Sequence, residues 1–387
     1  MRANPGGHID PADAVGRNGL VAAIWHALGR QSVVLTSERR MGKTTTLGIL
    51  QAQSPAGKVA VYLDLEQAAN ADEFARELYE SVKGYLPRTE RVVQGGRQAA
   101  HVISGSKVSE FTLPEIEEQH WKDRVGRTLR ALADKKDTCV VLCFDELPYM
   151  LANISKSQGA ATAEEILACL RSIRQECPAV RMIYTGSIGL HHVLSSLRTE
   201  GYHGAHTNDM FVVDCPPLDE DDAMDLARKL LDSEGIQTPS LAETARAIAI
   251  ASDGIAFLIH HIVARMPVDR PVDGNTVEQV VQCLMRDPQD PLDLSHFVER
   301  VPVYYGTRKR TAYALLDAAA AAPDSAAFGD FLDAARRINP RVGREAVLVM
   351  VDLLMRDHYL VQDEGGRYRF RFPFIQRFWQ FKRGLLS

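Results

Sequence analysis

Nowhere do about 18 apolar residues run uninterrupted in this chain of 387 residues, so no membrane-spanning helix is expected. The first residues, MRANPGGHIDPADAVGR, lack the apolar core of a signal peptide. The six cysteines lack metal-site spacing. Cys139 and Cys143 fall inside an apolar run and read as small buried thiols, which fits a reducing cytoplasm. No charge dominates: a net charge of −5 and a pI near 6.2 give no overall pull toward nucleic acid or membrane, so any such pull must be local. Internal repeats are absent, and the one low-complexity tract is the alanine run 318–322.

The length is too great for one ordinary core and predicts two or three domains. In the first part of the chain, strands and helices alternate. Helical spacing over 15–30 leads into a short buried strand at 33–36. A second strand, KVAVYLDLE, spans 58–66 and precedes a helix near 71–85. The segment 86–115 has little periodicity and reads as a loop or insertion. A charged helix near 115–135 leads to TCVVLCFDELPYML, whose first seven residues are the most continuous strand signal. A helix around 162–177, the strand and loop VRMIYTGSIGL and the short strand MFVVDCPPL follow. This alternation predicts a three-layer α/β domain with a parallel sheet over 10–214, with ligands at the carboxyl ends of its strands. Beyond 218 strand signals stop, and helices predict a helical domain over 215–302. The remainder, 303–387, reads as three helices near 309–322, 325–337 and 342–356. The alternating HYLVQDEGGRYRFRFPF then follows as a hairpin, the outline of a winged-helix domain.

The stretch VVLTSERRMGKTTTLGIL has the form of a phosphate-binding loop: an apolar strand, a polar loop, then Gly42, Lys43 and Thr44 opening a helix. In such loops backbone N–H groups cradle phosphates, the lysine reaches the outer phosphates, and the next hydroxyl binds Mg²⁺. Ser37 stands where the loop usually has its first glycine, a place where positive φ or a tight turn can be needed. In VVLCFDE the strand delivers Asp145 and Glu146 to the carboxyl edge of the sheet. An aspartate there can hold Mg²⁺, and the glutamate can activate the attacking water. The plain alternative is an acidic helix cap. A third strand ends in the hydroxyls of Thr185 and Ser187, which could sit between the carboxylates and a γ-phosphate. The three elements together read as a nucleotide site for ATP and Mg.

The segments VGRNGLV, SERRMGKTTTL, FDEL and TGSIGL, followed by PLDEDDA, resemble the archaeal-type P-loop ATPases of the STAND class. These are relatives of AAA+ proteins that include origin-recognition initiators. The resemblance implies a P-loop α/β domain, a helical lid and a C-terminal winged helix over nearly the whole chain. It places Val15, Gly16 and Arg17 beside the adenine, and it makes Asp145 and Glu146 the Walker B pair and Ser187 the sensor. Its most specific feature is the arginine pair Arg39 and Arg40. The implied cradle runs through Ser37, Arg39, Arg40, Met41, Gly42, Lys43, Thr44 and Thr45, with Thr44 and Asp145 on the metal and Lys43, Glu146 and Ser187 catalytic. The chain departs from the family at Ala256, where the lid usually has a proline.

An oligomeric relative would use an arginine from a neighbouring copy. Arg198 is a candidate here, against a solvated helix-end arginine. The pairs His191/His192 and His260/His261 are adjacent on helices, so they point about 100° apart and do not suit a metal. In the hairpin, alternation sends Arg367, Arg369 and Arg371 to one face and Tyr368, Phe370 and Phe372 to the other. The 85 residues from 303 carry 14 Lys and Arg against nine Asp and Glu, which leaves the rest near −10. The basic row suits duplex DNA, a protein partner or mere solubility. Three functions remain: an ATP-driven switch acting on a partner, a DNA-binding initiator or transposition-regulator ATPase, and a nucleotide-binding module without turnover.

Overall fold

The computed structural model describes residues 1–87, 120–134, 138–186 and 189–385. The charged helix, expected near 115–135, runs over Trp121–Ala133, and most of the segment 86–115 lies outside the described residues. The chain divides into two compact units. One comprises Asn18–Thr36 and Lys43–Asp214; the other comprises Met1–Arg17, Ser37–Gly42 and Cys215–Ser387.

In the first unit, α1 (Asn18–Leu28) leads to β1 (Val33–Thr36), α2 (Lys43–Ala52), β2 (Lys58–Asp64) and α3 (Ala71–Val82). After these come α4 (Trp121–Ala133), β3 (Cys139–Asp145), α5 (Leu147–Gln158), α6 (Ala160–Glu176), β4 (Val180–Tyr184), α7 (Leu190–Thr199) and β5 (Phe211–Asp214). All four strand pairings are parallel and the order is β2-β3-β4-β1-β5, so every crossover needs a helix. The continuous apolar run of β3 is that of a strand covered on both faces, and Val140 to Phe144 are fully buried. The helix α5 carries no clear signal in the sequence because Pro148 interrupts it on paper. At the first turn of a helix, however, proline removes no hydrogen bond.

In the second unit three helices start on side-chain caps, which is why an acidic or hydroxyl residue precedes each of them. Asp219 accepts the Asp222 N–H before α8 (Glu220–Ser233), Ser240 that of Glu243 before α9 (Leu241–Ala251), and Asp273 that of Thr276 before α11 (Gly274–Arg286). Between the last two lies α10 (Ala256–Ala264), and α12 (His296–Tyr305) follows. The last stretch has α13 (Lys309–Ala321), α14 (Phe328–Ile338), α15 (Arg344–Arg356) and the antiparallel hairpin β6 (Leu360–Gln362) and β7 (Tyr368–Phe370). The chain then continues into α16 (Pro373–Arg383), a helix the sequence reading merges with the aromatic run of the hairpin. Its Trp379 is fully buried, with the rings of Tyr313, Tyr359 and Phe370 about it at 6.0–6.1 Å.

Candidate nucleotide site

The carboxyl edge of the sheet gathers the predicted chemistry. Asp145 ends β3 almost completely buried, and its carboxylate accepts three hydrogen bonds: from the Thr44 hydroxyl at 2.7 Å, from the Tyr62 phenol at 3.2 Å and from the Glu146 N–H at 3.1 Å. Thr44 follows Lys43, the first residue of α2, which is itself buried. Between β1 and β3 lies β4, so the hydroxyl at the start of the helix after β1 and the carboxylate at the end of β3 meet across an intervening strand. Burial and the neighbouring Asp145 carboxylate push the Tyr62 phenol well above its ordinary pKa, which keeps it a hydrogen-bond donor.

Glu146 adopts a left-handed backbone, φ 55°, at the strand-to-helix corner. Its side chain runs beside Gly186: a Cβ on that glycine would stand 3.3 Å from Glu146 Oε2 and only 2.7 Å from Pro148 Cδ. Thr185, one residue past β4, has a buried hydroxyl with no hydrogen-bond partner among the described residues. Ser187 lies outside the described residues.

The preceding loop, Ser37–Gly42, bends at residues other than the one in question. Positive φ falls on Arg40 (69°) and Gly42 (87°), while Ser37 is not among the left-handed residues. A serine therefore costs nothing in backbone strain at that position, and the expected difficulty shifts to Arg40. The Ser37 hydroxyl donates to the Glu38 carbonyl at 3.0 Å. Met41 is buried, and its carbonyl accepts from Arg17 at 2.7 Å and from the Cys215 thiol at 3.5 Å. Arg17 also donates to the Pro216 carbonyl at 2.7 Å, so this buried guanidinium braces two backbone segments. Gly16 takes φ 68°, and a Cβ there would come within 2.6 Å of Asp222 Oδ2. Val15 is half-buried and Thr45 likewise.

Arg39 and Arg40 both reach Asp293, at 2.8 and 3.4 Å, and Arg40 lies over the Phe257 ring at 4.6 Å. These are partly exposed ion pairs of small energetic weight. Glu38 is different. Its carboxylate is buried in a two-pronged pair with Arg300, at 2.8 and 2.7 Å, and takes the Arg39 N–H at 2.7 Å. Burial alone would raise the Glu38 carboxyl; Arg300 and the Arg39 N–H outweigh it and hold the group below the ordinary carboxylate range.

The sequence reading passes over Tyr62, Glu38, Gly186 and Arg300. Glu38 had one available signal, an acid in the middle of a loop that the sequence reads as phosphate-binding. Tyr62 had none, because its relevance depends on β2 lying beside β3.

His260 and His261 have ordinary structural partners. Burial lowers the His260 pKa, and its Nδ1 accepts the Asn4 N–H at 3.1 Å. His261 meets the Phe257 ring edge-on at 4.4 Å. The rings of His191 and His192, expected to point apart, instead lie 4.3 Å from one another at the start of α7.

No family model and no curated protein matches this sequence. Solved structures do. A Walker-type ATPase of Pyrococcus abyssi, PABY2304, superposes with a TM-score of 0.66 at 14% identity, over 98% of this chain and 100% of that one. The ORC2 protein of Aeropyrum pernix, solved as ADPNP-ADP complexes, gives 0.53 at 14% identity, over 98% and 97%. At this identity the likeness speaks for the fold. Fold and strand order together define a P-loop α/β domain followed by a helical C-terminal region.

Proposed function

We propose that this chain is an Mg-ATP-driven switch of the AAA+-related STAND type, in which nucleotide on the Ser37–Thr45 loop governs a helical lid and a C-terminal winged helix that engages a partner. The observation that carries the reading is the Thr44 hydroxyl 2.7 Å from a buried Asp145 carboxylate, beside Lys43 at the N-terminus of α2. The donor set suits Mg²⁺: two oxygen ligands, one charged, on a rigid sheet edge, with Tyr62 and the Glu146 N–H fixing the carboxylate. Thr44 and Asp145 would hold the ion, which when bound neutralises phosphate charge.

The remaining roles belong to the chain. The N–H groups of the loop and of the start of α2 cradle the phosphates, and Lys43 balances their charge. Glu146 orients the attacking water and takes its proton. Thr185 offers a hydroxyl one residue beyond the strand that separates the two motifs, and Ser187 follows it as sensor. Val15, Gly16 and Arg17 form the adenine side in this reading. The domains divide at 10–214, 215–302 and 303–387.

For the winged helix a protein partner is favoured over DNA. The exposed positions of α15, third of the three helices, are Arg344, Glu345, Ala346, Val349, Asp352 and Arg356, two cations offset by two anions, which gives the face no net positive charge for phosphates. DNA remains the second reading because Arg367 and Arg369 are exposed on the hairpin. Arg371, by contrast, turns to His358 at 2.8 Å and over Phe372.

The deciding experiment is phosphate release by the purified chain with Mg-ATP, with and without duplex DNA, using Glu146→Gln as blank. Turnover should exceed the blank by about 10²–10⁴-fold, the usual contribution of a positioned base. Turnover equal to the blank, with ATP bound, makes the chain a binding module instead. Stimulation by DNA promotes the second reading.

A further inference from the structure

An acid in a phosphate-binding loop opposes the ligand the loop serves, unless its charge is neutralised and turned away. Glu38 meets both conditions through Arg300, with side-chain exposures of 2% and 6%. Arg300 has no spare donors to speak of. Its Nε donates to the Tyr359 phenol at 2.8 Å, its second terminal nitrogen also reaches the Asp357 carbonyl at 3.0 Å, and its plane lies 4.2 Å over the Tyr359 ring. Tyr359 in turn donates to the Phe297 carbonyl at 2.5 Å, while its own carbonyl accepts the Arg371 N–H at 2.9 Å. Tyr359 immediately precedes β6, and Arg371 immediately follows β7. One buried chain of charge-assisted and neutral hydrogen bonds therefore runs from the phosphate loop through Arg300 to both strands of the C-terminal hairpin.

We propose that Glu38 and Arg300 are a positioning pair that fixes the phosphate loop and couples its state to the C-terminal hairpin. A forked guanidinium–carboxylate pair admits one geometry, and both partners are pinned on their far sides, so a displacement of the loop backbone at Arg39 cannot be absorbed by side-chain rotation. It has to break the pair or move Tyr359. The coupling half rests on the nucleotide reading; the positioning half does not.

Amide hydrogen exchange on the full chain tests both, with Arg300→Lys and Glu38→Gln as conservative variants. Without nucleotide, peptides covering 37–42 should exchange at least about tenfold faster in both variants, while those of 139–145 keep the wild-type rate as a check on folding. Unchanged exchange at 37–42 overturns the positioning role. With Mg-ADP or an ATP analogue, protection over 358–371 should change several-fold in the wild type. That response should vanish in variants shown by titration still to bind the nucleotide. A bound nucleotide with no effect at 358–371 in the wild type, or the same effect in the variants, overturns the coupling.

Should both variants fail to fold, Tyr359→Phe leaves the ion pair and the Asp357 carbonyl contact in place and removes the phenol link from Arg300 to Tyr359, the residue that enters the hairpin. It should keep the protection at 37–42 and lose the response at 358–371, and retention of the response sinks the proposal. A wild-type chain that binds no nucleotide refutes the nucleotide reading and the coupling with it, and leaves the first comparison to decide the positioning role.

Discussion

Three donors converge on the carboxylate of Asp145, from Thr44, Tyr62 and the Glu146 N–H, and two side chains beside it, Lys43 and Tyr62, have separable consequences. Lys43→Ala removes the neighbouring cation and should weaken ATP binding by about 10–100-fold, the worth of a charge-assisted contact. Unchanged affinity in a titration would refute the site. Tyr62→Phe deletes only the phenol hydroxyl at 3.2 Å. It should raise the Mg²⁺ concentration needed for half-maximal turnover several-fold, with a loss in stability of about 1 kcal/mol; the same Mg²⁺ dependence as wild type would deny Tyr62 a positioning role.

Asp253 gives a pH prediction at the same scale. It sits at φ 50°, accepts the Phe374 N–H at 2.6 Å, and burial raises its pKa to about 6. Its folded pKa lies above the unfolded value, so the native state binds the proton more tightly, and its contribution to stability declines as pH rises from about 4 to 6. Asp253→Asn should remove that decline and gain about 1–2 kcal/mol at pH 7 over pH 4 relative to wild type. Thermal melts of both proteins across pH 4–7 would show it, and parallel curves would contradict it. The residue types of the candidate site were legible from the sequence because Asp145 and Glu146 close a strand that an apolar run marks, and Lys43 and Thr44 open the helix that follows another. Glu38 and Tyr62 were not, because their partners lie 262 and 83 positions away.

At the scale of elements, the clearest departure from the sequence reading is α16. Proline and a run of aromatics suggest the tail of a strand, whereas Pro373 opens a helix whose aromatic face fills the last core. Trp379 donates to Asp317 at 2.8 Å from a fully buried position. Trp379→Ala should cost about 3–5 kcal/mol and lower the melting temperature accordingly. A melt within a degree of wild type would mean the helix carries little of the fold. The hairpin itself follows its alternation closely: Tyr368, Phe370 and Phe372 are buried and Arg367 and Arg369 exposed. Alternation fixes which side chains share a face. It does not fix what each arginine touches, and Arg367 is engaged by Ser325 through its Oγ at 2.9 Å and its carbonyl at 2.6 Å.

For the whole molecule, the uneven distribution of charge sets a test between partners. Reversing Arg367, Arg369 and Arg371 to glutamate changes the C-terminal part by six charges. If duplex DNA is the partner, retention should fall at least about tenfold and lose part of its salt dependence. Equal retention, or none in the wild type at low salt, leaves the protein-partner reading standing.

The sequence by itself determined the strand-and-helix alternation, the loop with its lysine and hydroxyl, and the acidic end of β3. Each is written in local periodicity and short spacing. Only the tertiary structure decided that β4 lies between β1 and β3, that Thr44 and Asp145 nevertheless meet, and that Glu38 is buried against Arg300. Strand order and buried ion pairs arise from contacts between residues far apart in the chain, and no local pattern encodes which distant partner wins.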